Sequence, residues 1–255
     1  VELTLRKVFD FATTAPLEEI EFILEARRLN KNAAERSFQG KYGHELGRML
    51  RNSQTERNIM GNNTFTHILS YTSAACDARM AGAMIPVMSN SGSGNQGIAA
   101  TLPVVVYAED NHNSEEELTR ALILSHLTAI YIKQSLGRLS ALCGCVVAAT
   151  GSSCGITYLM GGGYQQVMYA VQNMIATLTG MICDGGSIGC ALKASAGVYA
   201  AYLSAMLAME GIAIPHNFGV IGSSAEQTEK NLGRISDEGM APMDSTIIDV
   251  MQKGK

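Results

Sequence analysis

The sequence predicts an all-α fold, and three observations carry that expectation. Apolar residues recur at helical spacing over most of the chain, helix-start signals precede several of these runs, and strand-like alternation is nearly absent. Val104 to Tyr107 is the one β-branched stretch, and it lies inside a longer apolar run. With 255 residues, 47% of them hydrophobic and only 16% charged against roughly 25% in ordinary domains, many helices must be buried all round. No repeat and no Ser/Gly-rich linker divides the chain, so residues 1–255 read as a single helical domain.

In chain order, the first helix is expected over Glu2 to Phe11. The second follows Ala15-Pro16, where Glu18 and Glu19 at its start and Arg27 and Arg28 at its end complement the helix dipole. His44 to Arg57 and Thr64 to Met84 fit helices next. Ser114 with Glu117 forms a capping box for a long helix reaching Leu136, where Gly137 interrupts it. Leu139 to Ala149, Tyr164 to Met181, Ala191 to Met209 and Ser223 to Ser236 follow, and Asp244 is expected to cap a last short helix. Pro103 within Ile98 to Ala108 predicts a kink.

Nineteen Lys and Arg against 23 Asp and Glu leave a net charge of −4, with the basic residues scattered. That balance argues against nucleic acid and against anionic membranes as partners. The most apolar segment, Ala194 to Met209, is bounded by Lys193 and Glu210 and is short for a bilayer span, so a packed core helix is expected. The chain opens on Val1 with no secretion pattern, so a cytoplasmic location is expected, and the opening reads as a fragment or processed product.

Five of the six cysteines, Cys143, Cys145, Cys154, Cys183 and Cys190, cluster late in the chain, and Cys76 stands apart on an Ala-rich helix. Without a secretion signal, disulfides are not the natural explanation. Cys183-Asp-Gly-Gly-Ser-Ile-Gly-Cys190 is distinctive because two thiols bracket a glycine-rich loop between apolar helices, and such a loop can aim amides at thiolate or sulfide. On spacing alone an iron–sulfur cluster, zinc and plainly buried thiols all stand as readings.

Ser89-Asn90-Ser91-Gly92-Ser93-Gly94-Asn95-Gln96-Gly97 formally contains G-x-G-x-x-G, but no strand precedes it and no Lys-Ser/Thr follows. Dinucleotide and P-loop readings therefore fail. Two readings remain: an amide-rich turn at a helix start that holds a small anion, and an ordinary flexible loop.

Four segments in order carry a resemblance: Thr72 to Met80, Ile85 to Gly97, Arg138 to Cys143, and Gly180 to Lys193. Over almost the whole chain the sequence resembles the C-terminal part of the L-cysteine desulfidase family, which is similar to the α-chain of iron–sulfur L-serine dehydratases. The resemblance implies a [4Fe–4S] cluster held by Cys143, Cys183 and Cys190 with one iron open. Cys145 and Cys154 have no counterpart and read as buried thiols. The family's N-terminal Gly-Cys-Thr-Glu-Pro motif is missing, so an N-terminal part of the same protein is an expected partner.

The chemistry so implied is α,β-elimination of L-cysteine to pyruvate, ammonia and sulfide, with L-serine dehydration or a cluster-free, inactive helical module as the alternatives. Ser89, Asn90, Ser91, Ser93 and Asn95 are expected to hold the carboxylate of the small amino-acid substrate, and a homodimer is expected to cover apolar surface. Asp77 and Arg79 are read either as polar residues near the site or as a surface ion pair. Lys193 reads as a solvated helix lysine or the partner of a carboxylate, Asp184 as a cap or loop-stabilising group, and His126 as a core histidine. No residue is identified as the base.

Overall fold

The computed structural model describes residues 3–52, 60–137 and 140–253. Among these the architecture is helical throughout, with isolated two-residue bridges in place of strands. Helix α1 (Leu5–Thr14) is capped by Thr4, whose hydroxyl accepts from Lys7 N–H at 3.3 Å, and runs three residues beyond the expected end. The helix expected after Pro16 is divided into α2 (Leu17–Ile20), a 3₁₀ turn (Glu21–Ile23) and α3 (Leu24–Gln39).

Helix α4 (Leu46–Asn52) precedes residues 53–59, so the expected continuation to Arg57 lies outside the described residues. Helix α5 (Thr64–Met80) opens on an Asn63 capping box and stops short of Met84, because the chain turns at Gly82 with φ +76°. Helix α6 (Gly94–Asp110) takes in Val104 to Tyr107 and the buried Pro103.

Helix α7 (Glu115–Leu136) has the expected box, with Ser114 N–H donating to Glu117 Oε2 at 2.7 Å, and ends at Gly137. Helix α8 (Gly144–Leu159) starts later than expected and extends ten residues further. It is the central helix, packed against α6, α7, α9 (Tyr164–Leu178) and α10 (Cys190–Met209). Buried residues run along it from Cys145 to Thr157, as the low charge content requires. A Cβ on Gly151 would stand 2.1 Å from Ser125 O, so only glycine lets α8 approach α7 this closely.

Helix α11 (Ala225–Arg234) passes through a π turn (Ile235–Gly239) into α12 (Ala241–Lys253). Asp244 is therefore not the cap of α12 but a first-turn residue, where its charge still favours the helix start.

Helix α10 begins at Cys190, four residues before the apolar core of the segment, and its 20 residues make it the one described helix long and apolar enough to cross a membrane. Its mean hydropathy is 1.2 and 44% of that window is buried. The inner face packs against α5, α8 and α9, while Leu192, Tyr199, Leu203 and Met206 lie exposed along the outer face.

Candidate functional site

The site forms where three chain crossings meet. Leu142 and Ile182 make an antiparallel bridge, with Cys143 N–H donating to Met181 O at 2.9 Å and Cys183 N–H to Ala141 O at 2.7 Å. These bonds bring two cysteines distant in sequence to the two ends of one short bridge. Cys190 closes the glycine-rich turn: its N–H donates to Ser187 O at 3.0 Å, and its thiol reaches Gly185 O at 3.8 Å.

Cys143, Cys183 and Cys190 all line one cleft of about 280 Å³. Two larger concavities, of about 490 and 430 Å³, hold no cysteine. Cys145, without a counterpart in the resemblance, also lines the cleft. Cys154 does not, and burial pushes its thiol up to about 12. Cys76 is fully buried, and burial likewise holds it protonated.

Cys143 occupies the N-cap position of α8. A hydrogen bond from Cys145 pulls its pKa well below the usual thiol range against the effect of burial, with help from the amides of Val146 and Cys145 and from Lys193. Cys145, the donor, is raised in turn. A thiolate at Cys143 is the form a metal would bind.

The turn before α6 lines the same cleft. Asn90 and Ser93 exchange backbone bonds at 3.1 and 3.0 Å, and the two residues between them have positive φ, +49° at Ser91 and +82° at Gly92. This is the geometry of a type I′ turn. Ser93 then caps α6 by accepting from Gln96 N–H at 3.4 Å. Gly97 lets α6 lie against the incoming chain, since a Cβ there would stand 1.8 Å from Met88 O.

Of the five residues expected at the carboxylate, Ser91, Ser93 and Asn95 line the cleft. Ser89 is exposed and lies outside its lining. Asn90 is buried and turned away, its Nδ2 donating to His126 Nδ1 and O at 3.1 Å each.

His126 is the core histidine expected. Thr101 donates its hydroxyl to Gly97 O at 2.6 Å, so it receives a proton from His126 Nε2 at 3.0 Å, which leaves Nδ1 as the acceptor for Asn90. Burial lowers the imidazole pKa to about 4, in keeping with this neutral ring. Asn30 extends the network, donating to Thr101 Oγ1 at 3.0 Å and receiving Met88 N–H at 2.8 Å.

Asp77 is no surface group. It is fully buried, and its Oδ2 accepts from Gly47 N–H at 3.1 Å at the start of α4. Burial raises its pKa, against the main-chain amides of Gly47, His44 and Leu46. Arg79 stands exposed at the rim of the cleft. Lys193 pairs with Asp184 and also donates to Ile182 O at 3.0 Å, so Asp184 stabilises the cysteine-bearing loop. That bond holds the Asp184 carboxyl below its usual range.

Lys133 lines the cleft although no sequence motif pointed to it, and Gln96 lies in the Ser89–Gly97 segment without a role of its own assigned there. Lys133 is a last-turn basic residue of α7, a position ordinarily assigned to the helix dipole.

Among the described residues no group of three or more His, Cys, Asp or Glu side chains could hold a metal ion. Cys143, Cys183 and Cys190 share the lining of one cleft, and thiolates are the donor type a sulfur-ligated metal group takes.

The family model for the serine dehydratase alpha chain matches residues 6–249. The chain is 72% identical over 250 residues to a UPF0597 protein of Phocaeicola vulgatus, covering 98% of this chain and 58% of that protein. It is 53% identical to a UPF0597 protein of Porphyromonas gingivalis, covering 100% and 59%, and 45% identical to one of Aeromonas hydrophila, covering 99% and 58%. It thus spans less than two thirds of the length of these curated relatives. With the match running almost from end to end, the chain belongs to the serine dehydratase alpha chain family.

Proposed function

We propose that this chain is the cluster-binding part of a cytoplasmic iron–sulfur lyase that carries out α,β-elimination on a small amino acid, L-cysteine or L-serine. The carrying observation is that Cys143, Cys183 and Cys190 line one cleft together with the turn and helix start of α6. All six cysteines are free, which accords with a reducing compartment.

Cys143, Cys183 and Cys190 would hold a [4Fe–4S] cluster, which when bound supplies Lewis acidity toward the leaving thiol or hydroxyl. The remaining roles belong to the chain's own residues. The Ser93 hydroxyl and the amides of Gly94 and Asn95 at the start of α6 offer donors to a carboxylate, while the Ser91 hydroxyl donates to Asn90 Oδ1 at 2.9 Å and braces the turn. Asn90, fixed by His126, holds the turn in the register that presents them.

The test is anaerobic reconstitution of the full-length protein, followed by iron and acid-labile sulfide analysis and by pyruvate release from each amino acid. Iron and sulfide near four each per chain with pyruvate formed from either substrate supports the reading. Protein that takes up no iron overturns it.

A further inference from the structure

We propose that Lys133 neutralises the carboxylate of the amino acid bound in this cleft, and that the side-chain oxygens of Asn95 and Gln96 receive its ammonium. The inference rests on the amino-acid reading above and adds which side chains recognise the two charged ends.

Lys133 is the one buried Lys or Arg among the described residues, 7% exposed, and it lines the cleft. Its ammonium donates to Ser140 Oγ at 3.3 Å, and none of the ion pairs among the described residues includes it. An enclosed ammonium without a carboxylate is costly, and an arriving anion relieves that cost. The other two cations on the lining are placed differently: Lys193 is taken by Asp184 and Ile182 O, and Arg79 is exposed at the rim.

Asn95 Oδ1 and Gln96 Oε1 are buried and accept no hydrogen bond. Asn95 is oriented by its Nδ2, which donates to Met80 Sδ at 3.1 Å. Gln96 lies against Gly144, where a Cβ would come within 2.5 Å of Nε2. Unsatisfied acceptors of this kind call for a donor, and a cation satisfies two at once. An enclosed cation and a pair of bare acceptors on one small cleft fit a zwitterion, the charge pattern of a free α-amino acid. Cys143 and Cys183 also lie near enough to interact with the Lys133 charge, so a counter-charge role for the metal-binding thiols is the competing explanation.

The experiment is calorimetry on the iron-reconstituted full-length protein, with ligands that have no leaving group. L-alanine carries both charges, L-alaninamide lacks the carboxylate, and propionate lacks the ammonium. Lys133→Met is expected to weaken L-alanine at least about tenfold, to leave L-alaninamide within about twofold, and to keep its iron, while Lys133→Arg recovers most of the loss. Gln96→Leu is expected to weaken L-alanine and L-alaninamide but not propionate.

L-alanine affinity unchanged in Lys133→Met overturns the lysine assignment, as does loss of iron with the affinity of the remaining loaded sites unaltered. Wild-type protein that loads iron yet binds none of the three ligands rejects the amino-acid reading itself. Wild-type binding that Lys133→Met leaves intact rejects the lysine alone.

Discussion

The carboxamide of Asn90 donates to both Nδ1 and the main-chain oxygen of His126, at 3.1 Å each, and so ties the turn facing the cysteines to the middle of α7. The histidine is neutral in this arrangement, since Nδ1 must accept while Nε2 donates to Thr101.

A pH dependence of stability follows. The folded His126 pKa is depressed from 6.5 to about 4, so its contribution is present above the unfolded value and is lost as pH falls from about 6.5 toward 4. Across that window the loss amounts to about 3 kcal/mol. Urea unfolding at pH 7 and pH 4 should show this slope in the wild type. In His126→Gln the slope should be shallower by a comparable amount, and equal slopes would remove His126 as its source.

The cysteines should separate by substitution. Cys183→Ser is expected to abolish iron uptake. Cys145→Ser should retain it, because a hydroxyl can still donate to Cys143. Iron analysis after identical anaerobic reconstitution checks both, and equal losses would contradict the ligand assignment.

Gly97→Ala places a methyl group 1.8 Å from Met88 O, a main-chain atom with no freedom to swing aside. The expected cost is about 3 kcal/mol or more, read as a lowered denaturation midpoint. A midpoint unchanged from wild type would show that the turn can separate from α6 freely.

Asp184→Asn should matter little to overall stability. The carboxylate is 53% exposed, and exposed ion pairs contribute about 0 to 1 kcal/mol. Thermal unfolding should be nearly unchanged. A drop of many degrees would mean that the loop bearing Cys183 governs the stability of the whole domain.

The helical fold was legible in the sequence because its signals are local. The Ser114–Glu117 box, the small residues of α10 and the apolar run through α6 each act within a few residues of themselves. Helix ends were less legible. The division of the second helix into α2 and α3 and the early stop of α5 at Gly82 depend on how neighbouring helices pack. The buried state of Asp77 was hidden for a related reason: its partners are amides of α4, and nothing in its own helix announces them.

By itself the sequence determined an all-α chain, the Cys183–Cys190 loop and the turn at Gly92, because spacing and residue type suffice for these, while the three-cysteine set came from the family resemblance. Tertiary structure alone decided that residues 141–143 and 181–183 pair, that Asn90 faces His126 while Ser91, Ser93 and Asn95 face the cysteines, and that Lys133 is enclosed beside them. Each of these depends on main-chain bonds and packing between segments far apart in the chain, and a distant partner leaves no mark on local periodicity.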